Sequence, residues 1–74
     1  MNGFPEHSVV RITRLLQANR PIQGSEKVMR PPLMGDIGAI VHVYAPSLYA
    51  VEMVDSDGLT IWLADFEREE LELV

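Results

Sequence analysis

Gly35-Asp36-Ile37-Gly38-Ala39-Ile40-Val41-His42-Val43-Tyr44 is the stretch on which the reading of this chain turns. Two glycines three apart precede a β-branched run that carries an imidazole. That pattern admits either a phosphate-gripping loop with a histidine base or a strand that bends as it enters a small sheet. The first reading fails on its requirements. A dinucleotide fingerprint needs a third glycine and a helix after the loop, and a P-loop needs Lys-Ser or Lys-Thr after its last glycine. Here the chain runs directly into Ala39-Ile40-Val41-His42-Val43, which is strand sequence. Gly35 then supplies the unusual φ of a turn, and Gly38 a bend or bulge where the strand coils.

The same punctuation continues toward the C-terminus. After a strand over Asp36 to Tyr44, Ala45-Pro46-Ser47 predicts a turn and Leu48 to Val54 the next strand. Asp55-Ser56-Asp57-Gly58 predicts a hairpin turn in which Asp57-Gly58 provides the positive-φ position, and Leu59 to Ala64 a fourth strand. Asp65 to Glu70 fits one helical or 3-10 turn, and Leu71 to Val74 a short closing strand.

Toward the N-terminus, β-branched Val9, Val10, Ile12 and Thr13 would lose rotamer freedom in a helix, so Val9 to Leu15 reads as the first strand. Residues 18–34, with Pro21, Pro31, Pro32 and Gly24 and no sustained periodicity, read as a long loop. Loops above about 12–15 residues are uncommon in compact domains and are generally functional or mobile. Five short strands, one long early loop and tight hairpins predict a single all-β domain over residues 1–74, a small five-stranded antiparallel barrel.

These residues carry a resemblance. Gly35-x-x-Gly38-x-Ile40-Val41-x-Val43-Tyr44, followed by Tyr49-x-Val51-Glu52-x-Val54-Asp55 and Asp57-Gly58, resembles a family of small bacterial proteins of unknown function with an SH3-like barrel. Val10-Arg11-Ile12 and Leu71-Glu72-Leu73 stand where that family opens and closes, so the resemblance spans nearly the whole chain. The loop between Ala18 and Met34 departs from it by its length. The Gly-x-x-Gly-x-Ile element is also similar to the KOW element of ribosomal and transcription proteins, itself an SH3-like strand pair. Neither resemblance implies a catalytic residue.

Composition narrows the function classes. A chain of 74 residues is near the size at which one core supplies only about 3–5 kcal/mol of net stability. It contains no cysteine, which removes disulfides, thiolate metal sites and a cysteine nucleophile. With 47% hydrophobic residues, much apolar surface must lie outside so small a core, and a homo-oligomer is expected to bury it. The N-terminal Met1 to His7 has no basic region followed by an apolar run, and no window is long and apolar enough for a membrane span. A soluble cytoplasmic protein is therefore expected.

The formal net charge is −5, which repels a phosphate backbone. The basic side chains other than Arg68 lie in the first 30 residues, whereas Glu52, Asp55, Asp57, Asp65, Glu67, Glu69, Glu70 and Glu72 crowd positions 52–72. A solvated acidic face is the plain explanation.

Few side chains bid for chemistry. His42 has no second histidine or cysteine at ligand spacing and reads as a partly exposed structural residue, while His7 belongs to an N-terminus expected to fray. Asp55-Ser56-Asp57-Gly58 begins like a calcium loop but lacks the later bidentate glutamate, so no metal or cofactor is expected. Thr13, Ser25, Ser47 and Ser56 have no base at a fixed spacing.

The aromatics are the stronger candidates. Leu59, Ile61 and Leu63 share one face of their strand, and if that face meets the core, Trp62 is left at least partly exposed. Trp62, Tyr44, Tyr49, Phe66, Pro31 and Pro32 are thus the expected contact residues of a non-enzymatic interaction or assembly module that self-associates or takes a protein partner. The competing expectation is a KOW-like nucleic-acid binder using Arg11, Arg14, Arg20, Lys27 and Arg30.

Overall fold

Alternating β-branched and aromatic residues set β1 (Val9–Ile12), β2 (Ile37–Ala45), β3 (Leu48–Val54), β4 (Thr60–Glu67) and β5 (Leu71–Leu73), with a 3-10 turn over Arg68–Glu70. In a computed structural model, which describes residues 3–74, they form one antiparallel sheet in the order β4-β3-β2-β1-β5. Met1 and Asn2, which begin the stretch read above for a targeting segment, lie outside the described residues. Among the described residues no α-helix forms, and none is long and apolar enough to cross a membrane.

Two strand ends differ from the sequence reading by three residues, the others by one at most, and both for local reasons. β1 stops at Ile12 because the next amides turn to a different acceptor: Thr13 and Arg14 N–H both donate to the Glu70 carbonyl. β4 runs past Ala64 because Asp65, Phe66 and Glu67 go on pairing with Ala50, Tyr49 and Leu48. The helical turn is thereby squeezed into Arg68–Glu70, closed by reciprocal side-chain capping between Glu67 and Glu70.

β2 coils through register shifts between Ile40 and His42 and between Val43 and Ala45. Gly38, expected at a bend or bulge, pairs with Val10 and lets β3 come close: a Cβ there would stand 2.6 Å from the Glu52 carbonyl oxygen, and the register shifts fall further along the strand. The expected turns do form, with Gly35 at φ 91° and Gly58 at φ 81°. Asp55 Oδ1 tightens the second by accepting from the Asp57 and Leu59 amides, both at 2.9 Å.

The core contains Val10, Ile12, Ile40, Tyr49, Val51, Trp62, Ala64, Phe66 and Leu71. Trp62 is fully buried, which overturns the expectation that it is exposed. Trp62, Ala64 and Phe66 share the inward face of β4 because three side chains of that combined area dominate the choice of face. Tyr49 and Phe66, also expected at an interaction surface, lie in the same core.

The aliphatic face of β4 is half-buried by the long loop instead. Gln23 pairs with Leu63 on the open edge of β4, Ser25 N–H donates to the Thr60 carbonyl, and Arg30 N–H to that of Ile61. The loop is therefore a strap that satisfies an edge strand. Pro32, one of the two prolines expected to be on display, is buried beneath it, while Pro31 remains exposed.

Nor does the chain fray at Phe4 to His7. His7 N–H donates to the Ile40 carbonyl at 2.8 Å, and Phe4 stacks on Tyr49 with centroids 5.5 Å apart while its amide donates to the Tyr49 hydroxyl. These contacts close the end of the sheet at which β2 and β3 turn.

Asp36 joins strap and core. Its carboxylate accepts from both Arg30 terminal nitrogens at 2.8 and 3.1 Å, from Leu33 N–H at 2.9 Å and from the Trp62 indole N–H at 3.0 Å. Burial alone would raise its pKa. The Arg30, Leu33 and Trp62 hydrogen bonds, helped by the Arg30 charge, outweigh that and hold it below the usual aspartate value.

A depressed carboxylate contributes stability that is complete above the unfolded-state pKa of about 3.9 and disappears as pH falls through the lower folded-state value. Asp36→Ala is expected to cost about 2–3 kcal/mol at neutral pH, in line with loss of a charged hydrogen-bond acceptor. In urea titrations, the gap between wild type and variant should close as pH drops below that of a free aspartate. A gap independent of pH would show that the charge on Asp36 does not matter.

Candidate functional site

Because β4 continues to Glu67, its outward alternation runs through Leu63 and Asp65, and this builds a groove that the sequence reading did not foresee. Asp65 pairs with Ala50, which pairs in turn with His42 on β2, so the three lie in one row across the outer face. Beside them stand Val41, Tyr44 and Leu48. The strap segment from Gln17 through Arg20 to Gln23 forms the opposite wall, enclosing about 580 Å³.

The floor of Val41, Ala50 and Leu63 is apolar, and its polar groups are fixed. The Tyr44 hydroxyl donates to Asp65 Oδ1 at 3.0 Å, and that bond to a carboxylate raises the tyrosine pKa. The His42 ring meets the Tyr44 ring edge-on at 4.7 Å between centroids, which restrains the phenol from its other side. Tyr44 is nevertheless 52% exposed.

Arg20 on the strap wall is held elsewhere. It pairs with the buried Glu70 and lies 4.0 Å over the Phe66 ring, with 5% of its side chain exposed. Asp65 is therefore the groove's carboxylate without a cationic partner.

Of the residues expected at a contact surface, the structure brings only Tyr44 to this groove. Trp62, Tyr49 and Phe66 are in the core, and exposed Pro31 and buried Pro32 border a smaller hollow with Leu15 and Arg20. Asp65 was missed because the strand was ended at Ala64, three residues too early. Extending the alternation of Leu63 by two positions would have found it.

The basic set is divided as well. Arg11 pairs with Glu72 at 2.8 Å, Arg30 with Asp36 and Arg20 with Glu70, leaving Arg14 and Lys27 exposed on separate parts of the molecule. Of the hydroxyls weighed above, Thr13 donates to the Glu70 carbonyl; Ser8 donates to the Pro5 carbonyl and Thr60 to the Glu52 carboxylate. Among the described residues no cluster of three His, Cys, Asp or Glu side chains is placed to hold a metal ion.

No curated protein and no solved structure matches the chain. The family model described as a domain of unknown function, DUF4926, matches residues 6–73, and by that match over nearly its full length the chain belongs to this family.

Proposed function

We propose that this domain is a non-enzymatic interaction module of SH3-like design that self-associates through the outer face of its sheet. The strand order β4-β3-β2-β1-β5, with a 3-10 turn leading into β5, supports the SH3-like description. The observation that carries the functional reading is apolar exposure on one face. Val9 is 47% exposed and pairs with Ala39; Ile37 and Val54, at 42% and 49%, stand two residues beyond the Ala39–Glu52 pair and so share its side. A chain this short has no inner volume left to take them.

Commitment of Arg11, Arg20 and Arg30 to carboxylates favours a protein surface over nucleic acid, since paired cations displace few counterions. Sedimentation over a concentration series tests the reading. Wild-type mass is expected to rise with concentration, and the Ile37→Glu/Val54→Glu double variant to stay at one chain while keeping its fold. A single-chain mass for the wild type at every concentration overturns self-association.

A further inference from the structure

We infer that the groove between the strap and the outer face of β2–β4 is a receptor for an arginine or lysine side chain presented by a basic protein partner. The inference rests on the reading of the domain as an interaction module, but not on its self-association. A long cationic side chain asks for three things: apolar surface for its methylenes, an electron-rich ring near its charge, and a carboxylate at its end. The groove holds all three in one place. Val41, Ala50 and Leu63 supply the floor, Tyr44 the ring, and Asp65 the carboxylate.

The acceptor is prepared before anything binds. Oδ1 of Asp65 is held by the Tyr44 hydroxyl, which fixes the carboxylate's orientation, and Oδ2 of this exposed residue has no partner among the described residues. His42 against Tyr44 and the cross-strand row His42–Ala50–Asp65 place ring and carboxylate on a rigid sheet rather than on a loop.

Charge selects the occupant. Arg20, the cation in the groove wall, is neutralised by Glu70 within the core, so the groove faces solvent with Asp65 uncompensated. The chain around it carries a net charge of −5, with Glu67 two residues along the same face of β4. An anionic ligand is repelled at both ranges and a basic one is drawn in at both. A volume of about 580 Å³ takes one such side chain together with the backbone that presents it.

The test is a titration of ¹⁵N-labelled protein with N-acetyl-arginine amide and N-acetyl-lysine amide, with N-acetyl-glutamine amide as the uncharged probe. Shifts from the cationic probes are expected to concentrate at Val41, Tyr44, Ala50, Leu63 and Asp65, with little response to glutamine. Asp65→Asn should weaken binding about tenfold, as loss of a charge-assisted contact implies. Tyr44→Leu should weaken it as well.

Glu26→Gln removes the same charge from the exposed strap away from the groove and should leave affinity unchanged. Equal effects of Asp65→Asn and Glu26→Gln, or shifts spread over the acidic surface, would overturn the site in favour of diffuse attraction. Sedimentation of the same samples keeps the two proposals apart. A monomer that binds arginine at the groove retires only self-association; because both proposals use the outer face, an oligomer is titrated again at a dilution that sediments as one chain, and failure to bind there retires only the groove.

Discussion

Glu70→Ala is expected to unfold the domain at room temperature. Glu70 is fully buried, and its carboxylate serves three donors: the Arg20 guanidinium, Leu16 N–H at 2.8 Å and Glu67 N–H at 2.9 Å. Removing one member of a buried ion pair costs about 3–5 kcal/mol, because the other charge stays desolvated. That equals about the whole net stability of a core this size, near 3–5 kcal/mol.

The two halves of the pair should not be equivalent. Arg20→Met leaves the carboxylate with its two amide donors and keeps apolar packing over Phe66, so it should cost less, about 1–3 kcal/mol. Glu70→Ala orphans a guanidinium whose Nε and Nη1 have no other partner among the described residues, as well as two backbone amides. At neutral pH, Trp62 fluorescence without denaturant reports Glu70→Ala as loss of the native signal, and urea titration followed by the same signal measures Arg20→Met. The double variant should regain part of the stability that Glu70→Ala loses, since it also removes the desolvated guanidinium. Additive losses would show that Arg20 and Glu70 act separately.

The parts of the fold legible in the sequence are those fixed by neighbours. Asp57-Gly58 specifies a hairpin within four residues, Gly35 a turn and Pro46 a strand break, and each stands where the local chemistry places it. The choice of face on β4 is not local. Leu59-Ile61-Leu63 and Trp62-Ala64-Phe66 are both apolar rows, and which one meets the core depends on a strap some forty residues earlier in sequence covering the other.

The same strap explains why the long loop gave no periodic signal. Its backbone makes a reciprocal bridge to β4 only at Gln23, with single hydrogen bonds from Ser25 and Arg30, so its order comes from isolated bonds and from Asp36, not from a repeating pattern. Glu70 was equally opaque. In Arg68-Glu69-Glu70 an acidic residue looks like a solvated one, and only the return of the chain at Leu16 and Arg20 makes it a buried hub.

The position where the two readings of β4 diverge most is Trp62, and the expected outcome there is loss of fold. Trp62→Ala removes the largest fully buried side chain, which packs against Phe66 with centroids 5.4 Å apart. Such truncations cost about 3–5 kcal/mol. The indole N–H that donates to Asp36 goes with it, weakening the strap's attachment to the core.

Trp62→Phe separates packing from hydrogen bonding. It keeps an aromatic body but loses the N–H, while Arg30 and Leu33 continue to satisfy Asp36, so about 1–2 kcal/mol is expected beyond that of a simple surface change. Far-UV circular dichroism against urea provides the measure, since the fluorophore itself is changed. Were Trp62 instead an exposed anchor for a twin subunit, Trp62→Ala would lower the sedimenting mass and leave the urea midpoint of the monomer intact. A folded Trp62→Ala chain with an unshifted midpoint would return the tryptophan to the surface and require the opposite face of β4 to line the core.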